Sequence, residues 1–167
     1  PVLSGGIQFL LVARLLREKG VYEYAEAAKI VKLKYPQAQF VLLGGIDENP
    51  GAIQLEQVSA WNDQGILTWH GHVPVAKYMK TASVYVLPSY REGVPVSTME
   101  AMAMGRPILT TDVPGCRETV NQGVNGFMVE PRNAMALADK MVWMIENASC
   151  LPAMGGVSRK MAEAKVN

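Results

Sequence analysis

Two cysteines, Cys116 and Cys150, are all that the 167 residues contain. They are too few for a disulfide framework, and no C-x-x-C pair points to zinc or redox work; a reducing, cytoplasmic setting is expected. Long apolar runs are also missing. The longest, such as Phe9–Ala13, are strand-sized, far short of the roughly 18 residues that cross a bilayer. Charge of one sign is scarce in excess: 16 Lys and Arg against 15 Asp and Glu leave a formal +1, which argues against a domain built to grip nucleic acid. The opening Pro-Val-Leu-Ser-Gly-Gly has no Met and no basic segment leading into an apolar one, so no secretory signal is expected. It runs straight into a strand and reads as a piece of a longer protein. The familiar phosphate cradles are absent too. No G-x-G-x-x-G follows the first strand and no G-x-x-x-x-G-K-[ST] occurs anywhere, which removes dinucleotide and P-loop readings. No Asp-x-Asp pair offers to hold a metal at a diphosphate, and the first strand ends in Ala13-Arg14 instead of the acidic pair of a phospho-acceptor receiver domain.

What is present is an ordinary globular mixture, 49% apolar and 19% charged in 18.2 kDa, enough for one domain. Short β-like runs alternate with helix-like ones. Strands are expected at 7–13, 39–43, 66–70, 84–87, 107–110 and 127–129. Between them, Val21, Tyr24, Ala25, Ala28 and Val31 fall at helical spacing. Further helices are expected at 53–61, 75–79, 97–104 and 134–147, with a helical turn at 117–122. The strands are mostly apolar throughout and do not alternate, as expected when helices cover both sheet faces. Six strands joined through helices give an α/β, Rossmann-like, doubly wound parallel sheet with right-handed crossovers. Residues 1–147 make that domain. Residues 148–167 make a tail, interrupted by Pro152 and Gly155-Gly156 and ending in a helix over 158–165, expected to pack back toward a preceding domain.

In such sheets the ligand crevice lies beyond the carboxyl ends of the strands, so the segments after each strand carry the functional candidates. Arg14 and Lys19 leave the first strand five residues apart with Gly20 behind them, able either to hold an anion or simply to open a solvated helix. The segment after the fourth strand, Pro88 to Gly105, is the most informative. Seven residues separate Glu92 from Glu100, placing one carboxylate in the loop and one in the first turns of the helix. Each could accept hydrogen bonds from neighbouring sugar hydroxyls. Gly93 permits close backbone approach, and the amides of Val94, Val96 and Ser97 open a helix N-terminus suited to phosphate. The same Ser97-Thr-Met-Glu100 run also fits a capping box, with Glu100 reaching back to the Ser97 amide; the spacing leaves both readings open. Met99, Met102 and Met104 read as core or interface filler, and Cys116 as a small filler. His70 and His72, flanking Gly71, read as polar loop lining. Glu118 either caps the following turn or lines the crevice.

In this order the pieces resemble the carboxyl-terminal domain of the family 4 glycosyltransferases (glycosyl transferases group 1), a retaining family with the two-domain GT-B fold. The likeness runs from about Phe9 to Met141. It rests on Ala13-Arg14-Leu15 through Lys19-Gly20, Phe40-Val-Leu-Leu-Gly44, the Gly71 strand end, Tyr85-Val-Leu-Pro-Ser89, the Glu92–Glu100 element, Glu100-Ala-Met-Ala-Met-Gly-Arg-Pro107, then Gly115, Glu118, Gly123, Gly126 and Pro131. The resemblance implies binding of a nucleoside diphosphate sugar, UDP- or GDP-linked, as substrate, with neither metal nor cofactor. Arg14 and Lys19 would hold the diphosphate, Glu92 the donor hexose and Glu100 the ribose. The Gly93–Val96 backbone, through Val94 and Pro95, would lie against sugar and phosphates, with Gly71, His72 and Val73 near the base. A glycan or lipid-linked acceptor would be supplied through a missing amino-terminal domain, with the full enzyme cytoplasmic or peripheral to the inner membrane face. The sequence departs from the family at Gly44-Gly45-Ile-Asp47, where Gly-x-Gly is commoner, and at Val94-Pro95, where Phe-Gly is frequent. Two other readings fit the same strand ends: half of a GT-B-type nucleotide-sugar epimerase, and a ligand-binding module without chemistry.

Overall fold

The computed structural model describes residues 6–166; the opening residues, on which the reading of a leaderless start rests, lie outside them. Six strands form one all-parallel sheet: β1 (Gln8–Val12), β2 (Gln39–Leu43), β3 (Thr68–Trp69), β4 (Val84–Leu87), β5 (Ile108–Thr111) and β6 (Gly126–Val129), ordered β3-β2-β1-β4-β5-β6. Strand order reverses between β1 and β4, and that switch point opens a crevice at their carboxyl ends. The doubly wound, Rossmann-like expectation is met. The third strand is shorter than the expected 66–70 run, because Ile66 and Leu67 bring the chain up from the preceding helix.

The helices follow the apolar spacing. α1 (Val21–Lys34) buries Val21, Tyr24, Ala25, Ala28 and Val31. α2 (Leu55–Asp63), α3 (Ala76–Thr81), α4 (Val96–Ala103) and α5 (Ala134–Glu146) complete the alternation. Right-handed crossovers put α1, which steps from β1 to β2, and α4, which steps from β4 to β5, on opposite faces. α5 packs on α1, and the last helix packs on α4. Between the layers lies a core that includes a stacked Phe9–Phe40 pair, with centroids 5.1 Å apart. The buried Tyr24 hydroxyl donates to the carbonyls of Phe9 and Val41 and so ties α1 to β1 and β2.

The tail departs from expectation. α6 runs unbroken over Leu151–Val166, not only over 158–165. Pro152 sits in its first turn, where a missing N–H costs nothing. Gly155 is there for contact: a Cβ on it would stand 2.0 Å from the Gly105 carbonyl oxygen, so only glycine lets α6 lie against the turn that ends α4. The helix then runs from the amino-terminal edge of the sheet to the carboxyl-terminal edge, where the Lys165 ammonium donates to the Glu118 carbonyl at 3.1 Å. Among the described residues no helix is long and apolar enough to cross a membrane.

The two adjacent glycines therefore carry opposite expectations. Gly155→Val should cost about 2 kcal/mol or more through overpacking. Gly156→Ala, whose Cβ meets nothing within 4 Å, should stabilise by up to about 1 kcal/mol through helix propensity. Thermal melts followed by circular dichroism test the pair, at roughly 2–4 °C per kcal/mol for a domain of this size.

Candidate functional site

The loop after β1 is held from both sides. Toward β2, Leu15 N–H donates to Gly45 C=O at 3.3 Å and Arg17 N–H to Gly51 C=O at 2.9 Å. Toward β4, Tyr90 N–H donates to Glu18 C=O at 2.7 Å. Gly20, at φ +76°, presses so closely on Pro88 that a Cβ would fall 1.9 Å from its carbonyl oxygen. The short 3-10 turn Arg17–Lys19 thus delivers Lys19 to the segment after β4, where its ammonium lies 2.7 Å from Glu92 Oε2. The Ser89 hydroxyl donates to the same oxygen at 2.7 Å. Both members of the pair are well shielded, with side-chain exposures of 19% and 8%.

Arg14 leaves the end of β1 differently. Its side chain is 65% exposed, and its nearest anion is Asp47 at 3.4 Å. Asp47 is itself fixed by accepting the Asn49 N–H at 2.8 Å. Arg14, Lys19 and Glu92 nonetheless line one cavity of about 210 Å³, together with Val94, Pro95, Val96 and Ser97. Val94 and Val96 stand at its mouth, 70% and 58% exposed. α4 begins at this cavity without a side-chain cap; Val96 N–H donates to the Val94 carbonyl at 3.0 Å, and the next amides, those of Ser97 and Thr98, are the first-turn N–H groups that favour an anion.

The capping-box reading of Ser97–Glu100 is not what forms. Pro95 occupies the cap position, and Ser97 lies inside the first turn, 2.5 Å from the Tyr85 hydroxyl. Glu100, one turn on from Val96 and Ser97, is solvent-exposed, and its carboxylate has no hydrogen-bond or ion-pair partner among the described residues. It lies outside the cavity lining, as do Gly71, His72 and Val73. That second group sits next door: Gly71 C=O accepts the Gly44 N–H at 2.8 Å, and His72 lies beside Gly45. Gly93 is exposed, and the carbonyls of Glu92 and Gly93 rest on Gly115 after β5. Glu118 caps nothing; it is exposed, beside the end of α6. Cys116 is buried, and burial pushes its thiol up from the ordinary value, opposite to what a nucleophile needs. His70 lies against Tyr78, with ring centroids 4.9 Å apart. Of the three methionines, Met102 is buried and Met99 is 39% exposed.

Three participants escaped the sequence reading of this site. Asp47 was visible only as part of an unusual turn, Ser89 only as a strand-end residue, and Tyr85 only as an apolar strand position. Tyr85 is fully buried, and burial pushes its phenol far up, with the charges of Glu92 and Glu100 adding to the rise. It stays protonated and donates to the Val12 carbonyl at 3.1 Å.

Comparison with known proteins bears on this geometry. The chain is 37% identical over 139 residues to the N,N'-diacetylbacillosaminyl-diphospho-undecaprenol alpha-1,3-N-acetylgalactosaminyltransferase of Campylobacter jejuni, covering 83% of this chain and 35% of that protein. It is 29% identical over 155 residues to the capsular polysaccharide biosynthesis glycosyltransferase CapM of Staphylococcus aureus, covering 92% and 40%. The chain thus spans little more than a third of the curated relatives it matches. Among solved structures, the pneumococcal O-GlcNAc transferase GtfA, crystallised with UDP and GlcNAc, has the same fold, with a TM-score of 0.81 at 23% identity over 96% of this chain and 33% of that one. Residues 6–147, from the first strand through α5, match the glycosyl transferases group 1 family, and this chain belongs to it.

Proposed function

We propose that this chain is the donor-binding half of a retaining, metal-independent family 4 glycosyltransferase. The full enzyme would move a hexosyl unit from a UDP- or GDP-linked sugar to a glycan or lipid-linked acceptor. The observation that carries the reading is the convergence of Arg14, Lys19 and Glu92 on one cavity at the uncapped start of α4. Support comes from the family, from relatives named for transfer of N-acetylgalactosamine to a diphospho-undecaprenol-linked sugar and for capsular polysaccharide biosynthesis, and from a structural neighbour holding UDP and GlcNAc.

In this reading the diphosphate lies between the two cations and the α4 amides. As the glycosidic C–O bond breaks, negative charge grows on the departing diphosphate, and preorganised donors stabilise it. At an effective dielectric near 20, a unit charge about 4 Å away contributes on the order of 4 kcal/mol, enough for two cations to stand in for a metal ion. Glu92 turns its second oxygen to the donor sugar. Glu100, whose carboxylate has no partner among the described residues, takes the ribose hydroxyls, and Gly71–Val73 with the neighbouring Gly44–Gly45 turn lies near the base. The acceptor site belongs to the absent amino-terminal domain, so this chain alone transfers little or no sugar. A lipid-linked acceptor would bring the full enzyme to a membrane face.

Calorimetric titration of UDP and GDP into this chain, in EDTA, tests the reading. Binding is expected without metal, weakened about tenfold or more by Arg14→Ala and by Glu100→Gln. Unchanged affinity in both variants would leave a module that holds no nucleoside diphosphate here.

Lys19 and Glu92 separate architecture from binding. Lys19→Met strands a shielded carboxylate and should cost about 3 kcal/mol of stability. The double variant Lys19→Met, Glu92→Leu should regain most of the melting temperature while UDP affinity stays low. Recovery of UDP affinity along with stability would show that Lys19 is only a structural partner.

A further inference from the structure

The Ser97 side chain has no role in the site as described so far, yet Ser97 lines the same cavity as Arg14 and Lys19. Behind it lies a short chain of oxygens leading into the sheet. Ser97 Oγ is 2.5 Å from the Tyr85 hydroxyl, which is 3.1 Å from the Val12 carbonyl at the end of β1. Ser97 Oγ itself is 3.5 Å from that carbonyl, at the limit of a useful hydrogen bond.

Two proton arrangements fit these distances. In the inward one, Ser97 donates to Tyr85 and Tyr85 donates to Val12. In the outward one, Tyr85 donates to Ser97, and the serine proton is free to face the cavity. Tyr85 carries a single proton, so it serves Val12 or Ser97 but not both fully. Its complete burial keeps that proton in place at any working pH. With only water in the cavity the inward form is favoured, because it keeps the Val12 carbonyl bonded while the serine forgoes only a neutral acceptor. An anionic oxygen in the cavity reverses the preference, since a hydrogen bond to a charged acceptor is roughly twice as strong as a neutral one.

We propose that Ser97 is a further diphosphate-binding residue, donating its hydroxyl to a phosphate oxygen, and that Tyr85 is a positioning residue that donates a hydrogen bond to the serine oxygen from beneath. The inference rests on the donor-site reading above. It assigns to the first turn of α4 a side-chain donor in addition to its amides, and it gives a buried strand tyrosine a part in ligand recognition. The alternative is purely architectural: the Tyr85–Ser97 bond merely pins the start of α4 to β4.

Threonine and valine have nearly the same shape, and only threonine keeps the hydroxyl, so the pair isolates the donor from the packing. Calorimetry with UDP and with inorganic pyrophosphate is the measurement, with melting temperatures recorded alongside. Ser97→Thr should stay within about twofold of the wild-type chain. Ser97→Val should lose about tenfold for both probes, the value of one charge-assisted hydrogen bond. Tyr85→Phe should lose about threefold in the wild-type background and nothing further in the Ser97→Val background, as coupled residues do. Equal affinity of Ser97→Thr and Ser97→Val for both probes would overturn the serine assignment alone. Failure of the wild-type chain to bind UDP or pyrophosphate would overturn the donor-site reading, and the serine's role with it.

Discussion

The 2.7 Å contact between Lys19 and Glu92 is the interaction on which the arrangement of this crevice depends. It joins the loop after β1 to the loop after β4, the two segments that flank the point where strand order reverses. A shielded ion pair is a weak source of net stability, because desolvating both charges offsets most of their attraction. Its value here is positional. Without the carboxylate, a lysine on a three-residue 3-10 turn has several rotamers into solvent. With it, and with Ser89 holding the same oxygen, the ammonium faces the cavity before any ligand arrives. Backbone contacts make the pairing possible: Gly20 against Pro88, and Tyr90 N–H to Glu18 C=O, bring the loops within reach of each other.

The charges around the crevice divide into two kinds. Lys19 and Glu92 satisfy one another inside. Arg14 and Glu100 face outward, the first held loosely by Asp47 at 3.4 Å and the second by nothing among the described residues. In the proposed complex the exposed groups gain partners at little cost. The inner pair must share its existing hydrogen bonds with the ligand. A site of this kind orients its ligand through the inner pair and draws much of its affinity from the outer one.

Much of this was legible in the chain because the physics behind it is local. The apolar runs of β1, β2 and β4, and the spacing Val21–Tyr24–Ala25–Ala28–Val31, report burial directly, and the alternation of strand and helix gives parallel pairing with right-handed crossovers; the strand order itself is visible only in the structure. The tail was misread for the same reason that makes local reasoning powerful. Gly155 and Pro152 are helix breakers by propensity, but a first-turn proline is free of its usual penalty, and Gly155 answers to the Gly105 carbonyl some fifty residues away. Glu100 shows the limit within the site. The capping box and the ligand-facing carboxylate share one spacing, and only the position of Pro95 at the cap removes the first.

Tyr85 marks the deeper limit. In sequence it is one more apolar strand residue, and it is as buried as its neighbours Val84 and Val86. What distinguishes it is where the phenol ends: beneath the first turn of α4 and beside the last carbonyl of β1, the two elements that frame the crevice. No spacing rule finds that, because the partners, Val12 and Ser97, are 73 and 12 residues away and meet only once the sheet has closed. A buried hydroxyl within hydrogen-bond reach of both Val12 and Ser97 ties the ligand-facing surface to the sheet. Any anion that recruits Ser97 is thereby felt at the end of β1, the strand that also presents Arg14.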